Sequence, residues 1–232
     1  MNIVCVGGGP GALYFAILMK KARPSAVITV LERNGPDDTF GFGVVFSDST
    51  LDNFAAADDE THAAIIERFV HWDAYTIHHK GEVFASVGHG FAGITRLDLL
   101  HILHARAIEL GVAVHFETEV TDLTPFADAD LIVAADGVNS TVRTMHAAHF
   151  RPDIDWRPNK FIWLGTTRPF DSLTFFFKRD AGGHGVWSVH AYQYAAGMAT
   201  FLVECNEETW RGCGLADADE AASVAFLEDL FA

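Results

Sequence analysis

Apolar and polar positions follow one another in a fixed order over the first thirty-three residues. Asn2-Ile3-Val4-Cys5-Val6 is an apolar run of strand length, too short for a helix. Glycines and a proline interrupt it over 7–12, and Leu13 to Lys21 then brings apolar residues back at helical spacing. Arg23-Pro24 stops that helix, because proline pushes the residue before it out of the helical region. Val27-Ile28-Thr29-Val30-Leu31 reads as a second buried strand, closing on Glu32-Arg33.

Downstream, Phe40 to Ser47 alternates glycine with large apolar residues. That pattern suits either backbone lying close against a flat ligand or a twisted edge strand. Residues 48–70 read as helical, and Trp72 to Val87 as a hairpin around Lys80-Gly81. Thr95 to Leu110 is the clearest helix, with Thr95 and Asp98 at capping-box spacing and Gly111 as its stop. Val112 to Phe116 predicts a strand, and Leu131 to Ala135 a buried parallel strand ending at Asp136-Gly137.

From about Arg151 the composition shifts. Phe161–Thr167, Leu173–Lys178, Val186–Tyr194 and Met198–Cys205 are rich in aromatic and β-branched residues and predict an antiparallel meander. Alternation puts Val186, Ser188, His190, Tyr192 and Tyr194 on one face, with Trp187, Val189 and Ala191 on the other. Leu215 to Ala232 predicts a helix with Asp217 and Glu220 at its start. Its stripe of Val224, Leu227 and Phe231 has nothing after it in the chain to cover it. The fold class is α/β: a Rossmann-like domain over 1–150 with an excursion over 40–94, then an antiparallel-sheet domain beginning at 151–232.

Strand, glycine turn, helix, strand and acid in this order make a βαβ dinucleotide-binding unit. Gly7 allows the tight turn, and Gly9 lets backbone approach a pyrophosphate. Gly11-Ala12 opens the helix, with Ala12 at the third glycine position. The helix start offers free N–H groups to phosphate, and Glu32 stands where a carboxylate accepts the hydroxyls of an adenosine ribose. Asp136-Gly137 lies at the carboxyl end of a parallel strand, where open α/β sheets bind ligands. Arg96 begins the clear helix, which leaves an anion contact and a solvated arginine both open.

Charge narrows the partners. With 31 acidic and 16 basic residues the net charge is −15, and no basic run interrupts it, so nucleic acid and anionic membrane are not expected. Cys5, Cys205 and Cys213 lack metal-ligand spacing, and an odd cysteine count without a secretory signal points to the cytoplasm. His101 and His104 share a helix without a third ligand, so no metal site is expected.

With the glycine motif, Glu32-Arg33 and Asp136-Gly137-x-x-Ser140-x-x-Arg143 in place, the sequence resembles the class A flavoprotein aromatic hydroxylases, which have a p-hydroxybenzoate-hydroxylase-like fold. Within that family it is similar to the flavin modules of the salicylyl-CoA 5-hydroxylase and 2-aminobenzoyl-CoA monooxygenase type. The words carrying this are 40–48, 154–160, 163–170, 190–194 and 200–205. The resemblance implies FAD, with NAD(P)H as electron donor, and hydroxylation of an aromatic acyl-CoA by O₂.

By resemblance, Gly7, Gly9, Gly11 and Ala12 meet the pyrophosphate, Glu32 the ribose, and Arg33 the adenosine. Arg96 stands near the pyrophosphate and Val120 beside the adenine. Asp136 and Gly137 serve FAD and the nicotinamide cofactor, and Gly43 and Val44 run beside the flavin. His190 and Tyr192 are the substrate-side candidates, against a plain core-packing role. No Gly-Asp dipeptide occurs, whereas the family's third fingerprint has one. The expectation is therefore a chain truncated at its C-terminus, missing a further segment or barrel domain in cis or in trans and open to homo-oligomer formation. Two other readings stay open: a non-catalytic or split flavin-binding fragment, and an NAD(P)-dependent oxidoreductase.

Overall fold

A computed structural model describes all residues, 1–232. In chain order the elements begin β1 (Asn2–Val6), α1 (Pro10–Ala22), β2 (Val27–Leu31), β3 (Gly43–Ser47), α2 (Asp48–Ala57), α3 (Asp59–Ile66), β4 (Val70–His79), β5 (Glu82–Thr95) and α4 (Arg96–Glu109). They continue β6 (Ala113–His115), β7 (Leu131–Ala134), α5 (Thr141–Met145), α6 (Ala147–Phe150), β8 (Lys160–Thr166) and β9 (Leu173–Arg179). The last are β10 (Val186–Ala195), β11 (Met198–Cys205), α7 (Glu207–Gly212) and α8 (Glu220–Leu230). Two compact units result. One holds 1–40, 50–68 and 96–154, the other 41–49, 69–95 and 155–232.

The first unit is built on a parallel sheet in the order β6-β2-β1-β7. Ile3 pairs with Ile28 on one side and Leu131 on the other, so β1 is flanked by strands and its Ile3 and Cys5 are fully buried. Burial pushes the Cys5 thiol up to about 11, which suits a packing role. β7, expected to be buried, is an edge strand and Leu131 is 39% exposed, because β1 is its only partner in the sheet.

Helices α1, α3 and α4 pack together around a buried charge. Asp58 is fully buried and caps α3 by accepting from the Thr61 N–H and hydroxyl. It also accepts from Lys21 Nζ at 2.5 Å and from Arg106 Nε and a terminal guanidinium nitrogen at 3.0 and 2.9 Å. Burial pushes this carboxyl up, but the bonds from Arg106, Lys21 and Thr61 outweigh that and hold it well below the usual carboxylate range.

The second unit is a seven-stranded sheet, β3-β5-β4-β9-β10-β11-β8. The β4–β5 hairpin forms around Lys80-Gly81, both with positive φ, as a two-residue hairpin turn requires. The segment after Phe40 resolves as an edge strand, β3, antiparallel to β5.

The predicted meander is corrected. β9, β10 and β11 are consecutive antiparallel neighbours, but β8 lies beyond β11 and β9 runs parallel to β4. Short turns join β9–β10 and β10–β11, whereas the β8 placement is a long-range pairing that alternation does not encode.

The face-by-face alternation of β10 is as read from the sequence. Trp187, Val189 and Ala191 join one core with Val203, Leu215 and Leu227, while Tyr192 and Tyr194 join another with Trp72 and Leu173. A second correction concerns the last helix. Its cap is Asp219, not Asp217, and its stripe is covered: Leu227 is 3% exposed and Phe231 packs on Phe176 and Phe201. β8, β9 and β11 supply that cover from earlier in the chain.

Candidate active site: two clefts at the glycine turn

The turn after β1 is held at both ends. Gly7 donates its N–H to Leu31 O at 2.8 Å and takes φ +100°, and a Cβ there would lie 2.4 Å from Ala135 O. Only glycine fits this position. Gly9 is the N-cap of α1, with no side-chain cap, and Pro10 follows it. No acid occupies the first turn of α1, whereas α3, α5, α7 and α8 are each capped by Asp58, Ser140, Asn206 or Asp219. A Cβ at Gly9 or Gly11 would meet nothing within 4 Å, so this helix start opens on free space. Its unbonded N–H groups and dipole favour an anion.

Two adjoining clefts meet here, both within the first unit. One, of about 320 Å³, is lined by Gly8, Gly9, Glu32, Arg33, Arg96 and His104, among others. The second, of about 180 Å³, is lined by Gly7, Gly9, Glu32, Arg33, Arg96, Val120, Asp136 and Gly137. Eight of the residues named from the sequence thus converge.

Glu32 lies between the two clefts. Its Oε2 accepts the Gly8 N–H at 2.6 Å, and its Oε1 accepts the Asn34 N–H and side-chain amide at 2.9 and 2.7 Å. Arg96 donates through Nε to Thr39 Oγ1 at 2.9 Å and lies 4.8 Å over the Phe40 ring, contacts that hold its guanidinium, and it lines both clefts. Asp136 turns inward, accepting from the Ser140 hydroxyl at 2.6 Å and the Val142 N–H at 3.1 Å. Burial pushes its carboxyl up, and those bonds more than offset it, so the group is held below the ordinary carboxylate value. The Asp-Gly segment is a closed turn that presents Gly137 to the cleft.

The remaining candidates lie elsewhere. Gly11 and Ala12 are in the first turn of α1, exposed and buried respectively, and line neither cleft. Gly43 and Val44 belong to β3 in the second unit, where Gly43 packs against the Tyr194 ring. Tyr192 is 4% exposed and donates its hydroxyl to Gly43 O at 2.9 Å, so that hydroxyl is engaged in the fold. His190 is half-buried between Phe175 and Leu202, and burial lowers its pKa.

His104 is the residue that sequence reasoning missed. It is 8% exposed, packs edge-on to Phe116 and lines the larger cleft, and its Nε2 meets no hydrogen-bond partner. Burial lowers its pKa, with His101 adding to the effect. Only the spacing of α4 could have signalled it, since His104 falls on the buried face with Leu100 and Leu103. His101 faces outward and pairs with Asp37 at 2.9 Å.

A group of ligand-type atoms also forms in the second unit. Asp180, His184 and Cys213 bring theirs within 4.8 Å of one another. The Asp180 carboxylate already accepts from the His184 and Gly185 N–H groups and from His184 Nδ1, closing its own loop.

No family model matches the chain. It is 44% identical over 239 residues to a salicyloyl-CoA 5-hydroxylase from a Streptomyces species, covering all of this chain and 46% of that protein. It is 32% identical over 243 residues to the protodeoxyviolaceinate monooxygenase of Chromobacterium violaceum, covering all of this chain and 62% of that protein. Among solved structures, the tetrameric form of 2-methyl-3-hydroxypyridine-5-carboxylic acid oxygenase matches with a TM-score of 0.77 at 19% identity, over 98% of this chain and 64% of that one. The chain thus spans about half to somewhat under two thirds of the length of these relatives. No helix is long and apolar enough to cross a membrane. The chain is therefore similar in sequence to salicyloyl-CoA 5-hydroxylase and other monooxygenases over part of their length, and it shares the fold of 2-methyl-3-hydroxypyridine-5-carboxylic acid oxygenase.

Proposed function

We propose that this chain is the adenosine–pyrophosphate half of the flavin site, together with a substrate sheet, of an FAD-dependent monooxygenase. The reaction is hydroxylation of an aromatic acyl-CoA of the salicylyl or 2-aminobenzoyl class, with NAD(P)H as electron donor. The observation that carries the cofactor assignment is the uncapped, acid-free start of α1, opening on clefts lined by Glu32 and Arg96.

The residues fit the group. Gly9 leaves room for a pyrophosphate at the uncapped start of α1, where the free backbone N–H groups of the first turn favour an anion. Arg96 supplies positive charge, Glu32 accepts from ribose hydroxyls, and Val120 and Gly137 offer flat surface. FAD, when bound and reduced, supplies the activation of O₂. The chain's own residues bind and orient it. The Glu32–Gly8 and Arg96–Thr39 bonds fix two of those groups before any ligand arrives. The support for an acyl-CoA substrate is the 44% identity over the whole chain.

The test is equilibrium binding of FAD to the purified chain, read by quenching of flavin fluorescence. The expected outcome is saturable binding, relieved by ADP and weakened at least tenfold by Arg96→Ala. Binding of NADH with no binding of FAD would replace this reading with a nicotinamide-dependent oxidoreductase.

A further inference from the structure

A cleft of about 630 Å³ lies wholly within the second unit, apart from the nucleotide clefts. Its volume is in the range of about 300–1,000 Å³ that suits a small-molecule site. The β4–β5 turn, the end of β9, the start of β10 and the segment after α8 (Phe231, Ala232) form its walls, and Lys80, Arg168, Lys178 and Arg179 line it. The whole chain has 16 Lys and Arg against 31 Asp and Glu. A quarter of its cations therefore surround one opening, with Glu82 the sole carboxylate side chain lining it.

These four cations are not used by the fold as ion pairs. Lys and Arg ion pairs in this chain involve Lys21, Arg106, Arg157, Lys160 and Arg211 instead. Lys178 donates to Leu230 O and, at 3.5 Å, to Ala232 O, and the Arg168 guanidinium lies 5.8 Å over the Phe170 and Phe176 rings. Lys80 and Arg179 are exposed and have no carboxylate partner. Like charges gathered without counter-charge repel one another, and an anion relieves that cost. Aromatic and aliphatic side chains make up much of the remaining wall. His78 stacks on Phe176 at 4.6 Å, while Phe177 and Val186 are 38% and 46% exposed. Cations beside aromatic and aliphatic faces suit a phosphorylated nucleotide, with phosphates on the Lys and Arg groups and the base on the rings.

We infer that this cleft takes the 3′-phosphoadenosine diphosphate portion of a coenzyme A thioester. The inference rests on the acyl-CoA reading above and gives that substrate a second point of attachment. Its 3′-phosphate distinguishes it from FAD, ADP and the phosphopantetheine arm of a carrier protein, none of which carries that group.

The test is calorimetric titration of the 232-residue chain with coenzyme A, dephospho-coenzyme A and pantetheine at about 0.15 M salt. Coenzyme A is expected to bind most tightly, dephospho-coenzyme A at least fivefold more weakly, and pantetheine not measurably. The Lys80→Asp and Arg179→Glu variants, made singly and together on exposed positions, should weaken coenzyme A at least tenfold in the double variant and leave FAD binding unchanged. An unchanged thermal midpoint in either single variant confirms that the fold is intact. Equal affinity for coenzyme A and its dephospho form, or no effect of the double variant, overturns the assignment. So does equally tight binding of inorganic tripolyphosphate, which would make the cleft a general anion trap. FAD bound without coenzyme A sinks this inference alone. Coenzyme A bound at the cleft without FAD sinks the flavin reading and leaves this one standing.

Discussion

Glu32 and Gly8 are locked together. The Glu32 Oε2 accepts the Gly8 N–H at 2.6 Å, and a Cβ on Gly8 would lie 2.7 Å from the Glu32 Cβ. The acid at the end of β2 therefore supports the glycine turn as well as facing the clefts. Gly8→Ala should push the two segments apart and cost about 1–3 kcal/mol, the usual range for overpacking. Urea denaturation checks the stability, and FAD titration should show weaker binding even where the protein remains folded. An alanine variant with unchanged stability and affinity would mean that this contact is slack.

The Asp58 cluster should dominate the stability of the first unit. Asp58→Ala leaves Lys21 and the nearly buried Arg106 facing an empty site, and loss of one partner from such a group costs about 3–5 kcal/mol. Asp58→Asn should recover part of this, because Thr61 and the capping geometry remain served. Denaturant midpoints of the two variants, compared at neutral pH, measure the difference.

Two groups should imprint separate pH windows on stability. The folded pKa of His104 is lowered by burial, so its contribution is complete above the unfolded value of about 6.5. As pH falls below that value, the unfolded state takes up a proton that the folded state resists, and stability drops. Asp58, also lowered, acts later: its contribution is complete above about 3.9 and disappears as pH falls toward the folded value. Stability measured from pH 8 to pH 3 should show both declines. His104→Leu should shrink the first, leaving the share due to the half-buried His190, and should leave the second intact; an undiminished first decline in that variant would assign it to His190 instead.

Tyr192 should behave as a structural residue. Tyr192→Phe deletes its bond to Gly43 O in a buried core and should cost about 0.5–1.5 kcal/mol. Gly43→Ala should cost more, since its Cβ would lie 2.4 Å from the Tyr194 ring. Neither change should alter coenzyme A affinity. A Tyr192→Phe variant of unchanged stability but altered affinity would return the hydroxyl to the ligand side.

Leu227→Ala should destabilise by about 2–5 kcal/mol, as removal of a buried leucine does. Thermal melting reads this directly, and a negligible loss would mean that α8 is dispensable to its core.

Local elements were legible because their signals are local. β1, α1 and β2 appear where the apolar runs, glycines and Arg23-Pro24 put them, and the turn at Lys80-Gly81 appears where its residues demand φ > 0. Glu32, Val120 and Gly137 converge on one cleft because they follow β2, β6 and β7 of the parallel sheet, and Arg96 joins them from the start of α4. What was not legible depends on distant pairing. Nothing in Phe161–Thr167 says that it joins β11, and nothing in Leu173–Arg179 says that it runs parallel to β4. The burial of Asp58 has no local signal in Asp58-Asp59-Glu60, because the cations that pair with it come from Lys21 and Arg106. His104 carries no metal-ligand spacing, but its place on the buried face of α4 is readable from Leu100 and Leu103.

The parallel pairing of β4 with β9 bears on how the protein is made. The β4–β5 hairpin is synthesised early, but its outer edge is completed only by Leu173–Arg179, after the whole of α4 and the β6–β7 region has left the ribosome. Throughout that interval the hairpin presents an unpaired strand carrying Trp72, Tyr75 and Ile77 to the surrounding solution. Contacts so distant along the chain close slowly, and an open edge invites pairing with a neighbouring nascent chain. Yield in a cell should therefore depend on translation speed and chaperone supply between those two segments more than on the final stability of the folded sheet.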